Sequence, residues 1–234
     1  MQFIVQPEIF KRFPNMRLAV AVARGIDNQA ERPEIADRWQ EVWAETGKAA
    51  AISGNAQSHP RVKPWRERFS AQGVPGKQFP SSIEAVLRRA LRSNAPFSIN
   101  PLVDFYNTVS LQYIVPAGGF DLAQLHGPLE LRLTRSGDTF AALDEDIAQT
   151  VPAGEVAYAD GHTILTRHFV WRQAKMGLIT RDTRSVFLVS EVLGELGSEV
   201  AEQVVGALSR GLEEYFGVRP DSSIVDESRP AISW

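Results

Sequence analysis

Apolar and polar positions change period twice along this chain. Residues 17 to 24, RLAVAVAR, form a short apolar run bounded by charge, the pattern of a buried strand. Residues 31 to 52 switch to helical spacing, with Ile35, Trp39, Val42 and Trp43 on one stripe and Ser53-Gly54-Asn55 as a stop. The next stretch, SHPRVKPWRERFSAQGVPGKQFP, holds Pro60, Pro64, Pro75 and Pro80 and reads as loop. Ser81 and Glu84 then have the spacing of a capping box, in which the glutamate reaches back to the cap. Ile83, Val86, Leu87, Ala90 and Leu91 follow at helical spacing, and Ser93-Asn94-Ala95-Pro96 ends the run.

A further helix begins with Asn100 as N-cap and Pro101 in the first turn, and runs to about Tyr113. Asn100, Asp104 and Asn107 share one face of it, in a segment that is otherwise mostly apolar. Such amides and carboxylates either bond neighbouring backbone or line a pocket. Beyond Tyr113 the period becomes two. LELRLTR (129 to 135), TFAAL after a Ser136-Gly137-Asp138 turn, GEVAYAD (154 to 160), HTILTRHFV (162 to 170) and SVFLVS (185 to 190) read as strands. Ala117 to Asp121, AGGFD, reads as a tight glycine turn. Residues 197 to 216 form a closing helix, with Gly217 as its C-cap.

Because strands and helices do not alternate regularly, the expected fold class is α+β, a mostly antiparallel sheet packed with helices. One domain is expected over residues 1–220, with an N-terminal part (1–80) and a core (81–217). Residues 218–234 are expected as a polar tail that Trp234 is able to dock.

Composition narrows the chemistry. The chain has 234 residues, 44% of them hydrophobic and 23% charged, as in ordinary globular proteins. It has no cysteine, which removes disulfides, thiolate metal sites and a cysteine nucleophile. No secretory pattern opens it and no apolar run is long enough for a membrane span, so a cytoplasmic protein without membrane partners is expected. A net charge of −3 gives no global attraction for DNA or RNA, so RNA contacts would rest on local patches.

Three basic stretches qualify: Arg61 to Arg68, Arg88 to Arg92, and Arg167 to Arg184. Trp65 and Trp171 lie within two of them and are candidates for stacking on bases, against the alternative of tryptophans in the core. His59, His126, His162 and His168 show no metal-ligand spacing, so neither metal nor cofactor is expected. No phosphate loop, dinucleotide fingerprint or nucleophile elbow is present.

The ordered residues Asn100-Pro101-Leu102-Val103-Asp104, Asn107, Pro116, Phe120-Asp121, Arg132, Gly137-Asp138, Leu143-Asp144 and Asp160 resemble the B3/B4 domain of the phenylalanyl-tRNA synthetase β subunit. That domain shows N-P-x-V-D-x-x-N-Y, then P-x-H-x-F-D, an arginine-bearing strand, a turn leading into L-D-G, and I-A-D. The resemblance implies an editing site that hydrolyses a wrongly attached amino acid from tRNA, with water as nucleophile and no strong side-chain base. By position it implies Ala148, Thr183, Gly118, Asp121, Asn107 and Trp171 around the amino acid, and Arg172, Lys175 and Arg181 on the RNA.

Three departures stand out. The family's histidine falls on Gly118, its glutamate falls near Leu178, and Phe169 to Gln173 replace a glycine-rich segment. The expected function is therefore recognition of an aminoacylated tRNA 3′ end with hydrolysis in trans. Its rivals are a non-catalytic RNA- or amino-acid-binding module, and an interaction domain whose pocket is filled by Trp171.

Overall fold

A computed structural model describes residues 1–93, 95–143, 145 and 147–234. The helix stop at Asn94 and the motif position Asp144 fall outside the described residues. In chain order the first elements are β1 (Gln2–Val5), α1 (Pro7–Arg12), β2 (Arg17–Arg24), α2 (Pro33–Ala50), α3 (Lys63–Ala71), α4 (Ser82–Ala90) and α5 (Pro101–Tyr113). Then come β3 (Ala117–Asp121), β4 (Leu129–Leu133), β5 (Thr139–Phe140), β6 (Gln149–Thr150), β7 (Val156–Asp160), β8 (Thr163–Ile164), β9 (Thr166–Arg167) and β10 (Arg172–Gln173). The chain closes with β11 (Ser185–Val192), α6 (Ser198–Phe216), β12 (Asp221–Val225) and β13 (Ala231–Ser233).

The fold is α+β. A seven-stranded sheet runs β13-β1-β4-β7-β8-β5-β6, and a four-stranded sheet runs β12-β2-β11-β3. Most pairs are antiparallel; β1 with β4 and β5 with β8 are parallel. Strand β2 is central to the smaller sheet and is buried on both faces. Leu18, Val20 and Val22 enter one core cluster, and Ala19, Ala21 and Ala23 the other. This explains the unbroken apolar run in the sequence. The alanine face lets α6 sit close, and Gly211 does the same for α5: a Cβ there would lie 2.1 Å from the Phe105 ring.

Several expectations change. The proline-rich stretch contains α3, because Pro64 sits in its first turn, where a missing N–H costs nothing. Trp65 is fully buried against Phe13, Phe69 and Phe169, so it is core and not a stacking surface. Residues 117–121 form edge strand β3 rather than a turn. Only Thr139–Phe140 of TFAAL is strand. Segment 162–170 is cut into β8 and β9 and then turned by His168 and Phe169, both at positive φ (45° and 62°). Ser81 caps α4 by accepting from the Glu84 N–H, but the Glu84 side chain goes to Arg66 and Arg88 instead of the cap.

The last residues add β12 to the smaller sheet beside β2 and β13 to the larger one beside β1. The Trp234 ring lies 5.3 Å from Phe187.

Candidate functional site

The polar signature divides into residues that hold the scaffold and one that faces open space. Asn100 caps α5 by accepting from the Val103 N–H at 3.1 Å, and it donates to the Ile179 carbonyl at 3.3 Å. Asn28 supports it from outside the motif. Asn28 donates to Asn100 Oδ1 (3.0 Å) and the Thr180 carbonyl (2.8 Å), and accepts from the Leu102 N–H (2.8 Å). Asp104 accepts from the Ser98 hydroxyl (2.5 Å) and the Ile99 N–H (2.9 Å), which fixes the approach to α5. Burial raises its pKa, opposed by those two donors.

Arg132 and Asp138 pair bidentately at 2.7 and 3.1 Å with almost no exposure, and Arg132 also donates to the Gly161 carbonyl. Burial opposes ionisation of Asp138, but Arg132 and the Arg135 N–H outweigh it and its pKa is lowered. Asp160 accepts from the His126 N–H at 2.7 Å. These motif residues are structural. They fix turns and sheet edges around a cavity.

That cavity has a volume of about 250 Å³. It lies between α5, β3, β11 and residues 166–173. Phe97, Tyr106, Phe120, Phe169 and Trp171 make it largely aromatic. Trp171 stands in the wall, 4.6 Å from Phe79, and leaves the space open instead of filling it. Asn107 projects from α5 into this wall, and among the described residues its amide has no hydrogen-bond partner. An unpaired polar group at a cavity wall is available to a ligand. Asn107 thus faces the pocket more than it supports the fold.

At the floor, Tyr158 on β7 donates its hydroxyl to Glu191 Oε1 on β11 at 2.6 Å, joining the two sheets. Alternation along β11 puts Phe187, Val189 and Glu191 on one face. Burial raises the Glu191 pKa to about 8, with the Tyr158 hydroxyl opposing the rise. Burial and the neighbouring Glu191 raise the Tyr158 pKa, so its phenol stays a donor. The sequence reading ended this strand at Ser190 and missed Glu191. The available signal was a lone carboxylate inside an apolar strand.

The two glycines of β3 differ. A Cβ on Gly118 would meet nothing within 4 Å, whereas one on Gly119 would lie 2.6 Å from Leu188 and 2.9 Å from Ile179. Gly119 permits packing, and Gly118 leaves the cavity wall bare. Gln173 donates to the Gly119 carbonyl at 3.0 Å and so covers part of the free edge of β3.

The residues expected at the site come together only in part. Gly118, Asn107, Trp171 and Arg172 line the cavity. Thr183 is fully buried away from it and donates to Asp121 Oδ2 at 2.8 Å. Asp121 in turn accepts from the Ala123 N–H, ending β3. Both position the edge of β3 and do not line the space. Ala148 is exposed just ahead of β6, outside the lining. Lys175 is exposed, and Arg181 is exposed and pairs with Glu31 at 2.9 Å. Arg172 and Lys175 also interact with other groups of the chain. Among the described residues, no group of three or more His, Asp or Glu is placed to hold a metal ion. Among the described residues, no helix is long and apolar enough to cross a membrane.

An α+β scaffold whose signature residues brace an aromatic cavity is the class of protein seen here. The B3/4 domain family model matches residues 66–202, more than half of the chain, and the chain belongs to that family. It is similar to the phenylalanine–tRNA ligase β subunit of Chromobacterium violaceum, 30% identical over 135 residues, covering 53% of this chain and 17% of that protein. The β subunit of Colwellia psychrerythraea is 30% identical over 133 residues, covering 57% and 15%. The chain thus spans less than a fifth of the length of these relatives. An N-terminal fragment of the phenylalanyl-tRNA synthetase β subunit from Pyrococcus horikoshii aligns over 96% of this chain and 54% of its own, with a TM-score of 0.48 and 11% identity.

Proposed function

We propose that this protein receives the aminoacylated 3′ end of a tRNA and hydrolyses a mischarged amino acid in trans. The observation that carries this reading is the aromatic cavity inside the family-matched segment, with the unpartnered Asn107 amide in its wall. At about 250 Å³ it lies below the range of drug-sized sites, roughly 300–1,000 Å³, and suits a single amino acid.

In the reaction, water adds to the ester carbonyl, the bond to the ribose oxygen breaks, and that oxygen leaves as a hydroxyl. The Asn107 amide is placed to orient the carbonyl or the water. Arg172 at the cavity wall, with Lys175 and Arg181 on the surface beyond, would meet phosphates. Thr183 and Asp121 would act by holding β3, and Ala148 would contact substrate only at the outer surface.

The test is a panel of labelled aminoacyl-tRNAs, correct and mischarged, followed for ester loss at low salt. Cleavage of one mischarged species supports the proposal; every ester surviving beside folded protein rejects it. The bare wall at Gly118, where the family carries a histidine, favours a second reading: a binding module without hydrolysis. Saturable tRNA or amino-acid binding with unchanged ester lifetime would select it.

A further inference from the structure

Glu191 differs from the other buried carboxylates described above. Glu84 has Arg66 and Arg88, Asp138 has Arg132, and Asp104, Asp121 and Asp160 each accept from backbone N–H groups. Among the described residues, Glu191 has one side-chain partner, the neutral Tyr158 hydroxyl, and no cation. Its carboxyl also meets its own backbone N–H, and the residue lines the cavity wall. Ionising a buried carboxyl that has no positive partner is costly, and a cationic ligand would offset that cost.

We propose that the cavity takes its ligand by a primary ammonium group, held by the Glu191 carboxylate and surrounded by the rings of Phe97, Tyr106, Phe120 and Trp171. This deepens the function proposed above and rests on the cavity being the amino-acid site.

Aromatic faces attract a desolvated cation, and a carboxylate supplies its counter-charge. The charged or titratable groups of the lining are Glu191, Tyr106, Tyr158 and Arg172. Both phenols are held neutral by burial, which raises their pKa values. Arg172 is already partnered within the chain, and its charge disfavours a second cation near it, so the ammonium belongs at the Glu191 end. In the empty cavity, burial keeps most of Glu191 protonated at neutral pH. Binding an ammonium would ionise it: the carboxyl proton passes to buffer and the ligand keeps its own.

The experiment is calorimetric titration of the whole protein at pH 7 in two buffers of different ionisation enthalpy. The probes are phenylalaninamide (an α-ammonium), N-acetyl-lysinamide (a side-chain ammonium) and N-acetyl-phenylalaninamide (neither). The expected result is saturable binding of one of the first two with proton release to buffer, and acetylated phenylalaninamide at least about 10-fold weaker than its free amine if that amine binds. Which amine binds tells an α-ammonium site from a side-chain site. Glu191→Gln keeps the acceptor for Tyr158 and should weaken the bound amine by about 10- to 100-fold.

Equal binding of phenylalaninamide and its acetylated form, no binding of either amine, or unchanged affinity in Glu191→Gln overturns the proposal. The aminoacyl-tRNA panel is independent. Ester cleavage without amine binding would retain the substrate site and remove this mode of recognition.

Discussion

Asn28 donates to Asn100 across 3.0 Å, and these two buried amides together complete the first turn of α5. One lies in the N-terminal stretch that no motif covers, the other opens the family signature. The helix that carries Asn107 to the cavity is therefore anchored by a residue from outside the matched segment.

Asn28→Ala should lower stability by about 1–3 kcal/mol, because it strands the Leu102 N–H in the interior and removes the donor to the part-buried Thr180 carbonyl. Urea unfolding, read as a shift in midpoint at constant slope, checks this.

Asn107→Ala should change stability by no more than about 0.5–1 kcal/mol, since no protein hydrogen bond is lost among the described residues. Ester cleavage on the substrate that the tRNA panel identifies should fall. A large loss of stability would mean that the amide holds the fold after all.

Glu191 makes stability depend on pH with a definite sign. Its pKa is about 8 in the folded chain against 4.5 for a free glutamate, so the folded state holds the extra proton between those values. Stability should fall as pH rises through that window and level off above about pH 8. The difference between wild type and Glu191→Gln, measured across pH 5 to 9 by about 0.5-unit steps, isolates this group from the rest.

Adjacent glycines should respond oppositely. Gly119→Ala drives a methyl into Leu188 and Ile179 and should cost about 1–3 kcal/mol. Gly118→Ala meets nothing, so it should leave thermal stability nearly unchanged while narrowing the cavity and weakening ligand binding.

Arg172→Ala and Lys175→Ala should each lower tRNA affinity and reduce the slope of log affinity against log salt by about 1. Binding measured at several salt concentrations checks both.

The fold was readable where burial imposes a period. RLAVAVAR and the α5 segment announce themselves because their neighbours on both sides are protein. The α3 helix was hidden because proline is read as a breaker, yet Pro64 lies in a first turn. Residues 218–234 read as a polar tail because their strands, at sheet edges, keep polar residues exposed. At the site, the family resemblance pointed to Asn107, Trp171 and Arg172, and all three line the cavity. Glu191 and Tyr158 were not, since their meeting depends on two sheets facing each other, a relation between residues 33 apart that no local pattern records.

The first and last residues meet: the Met1 ammonium donates to the Trp234 carbonyl at 2.9 Å, and Gln2 stands opposite Ser233 in an antiparallel pair. Hydrogen bonds in such a pair run across the strands. A pull applied to these two residues would act along those bonds and break them in succession from the end inward, never loading them together. Against tension on Met1 and Trp234 this strand pair is a zipper, and the cores behind it would feel the force only after β13 had peeled away.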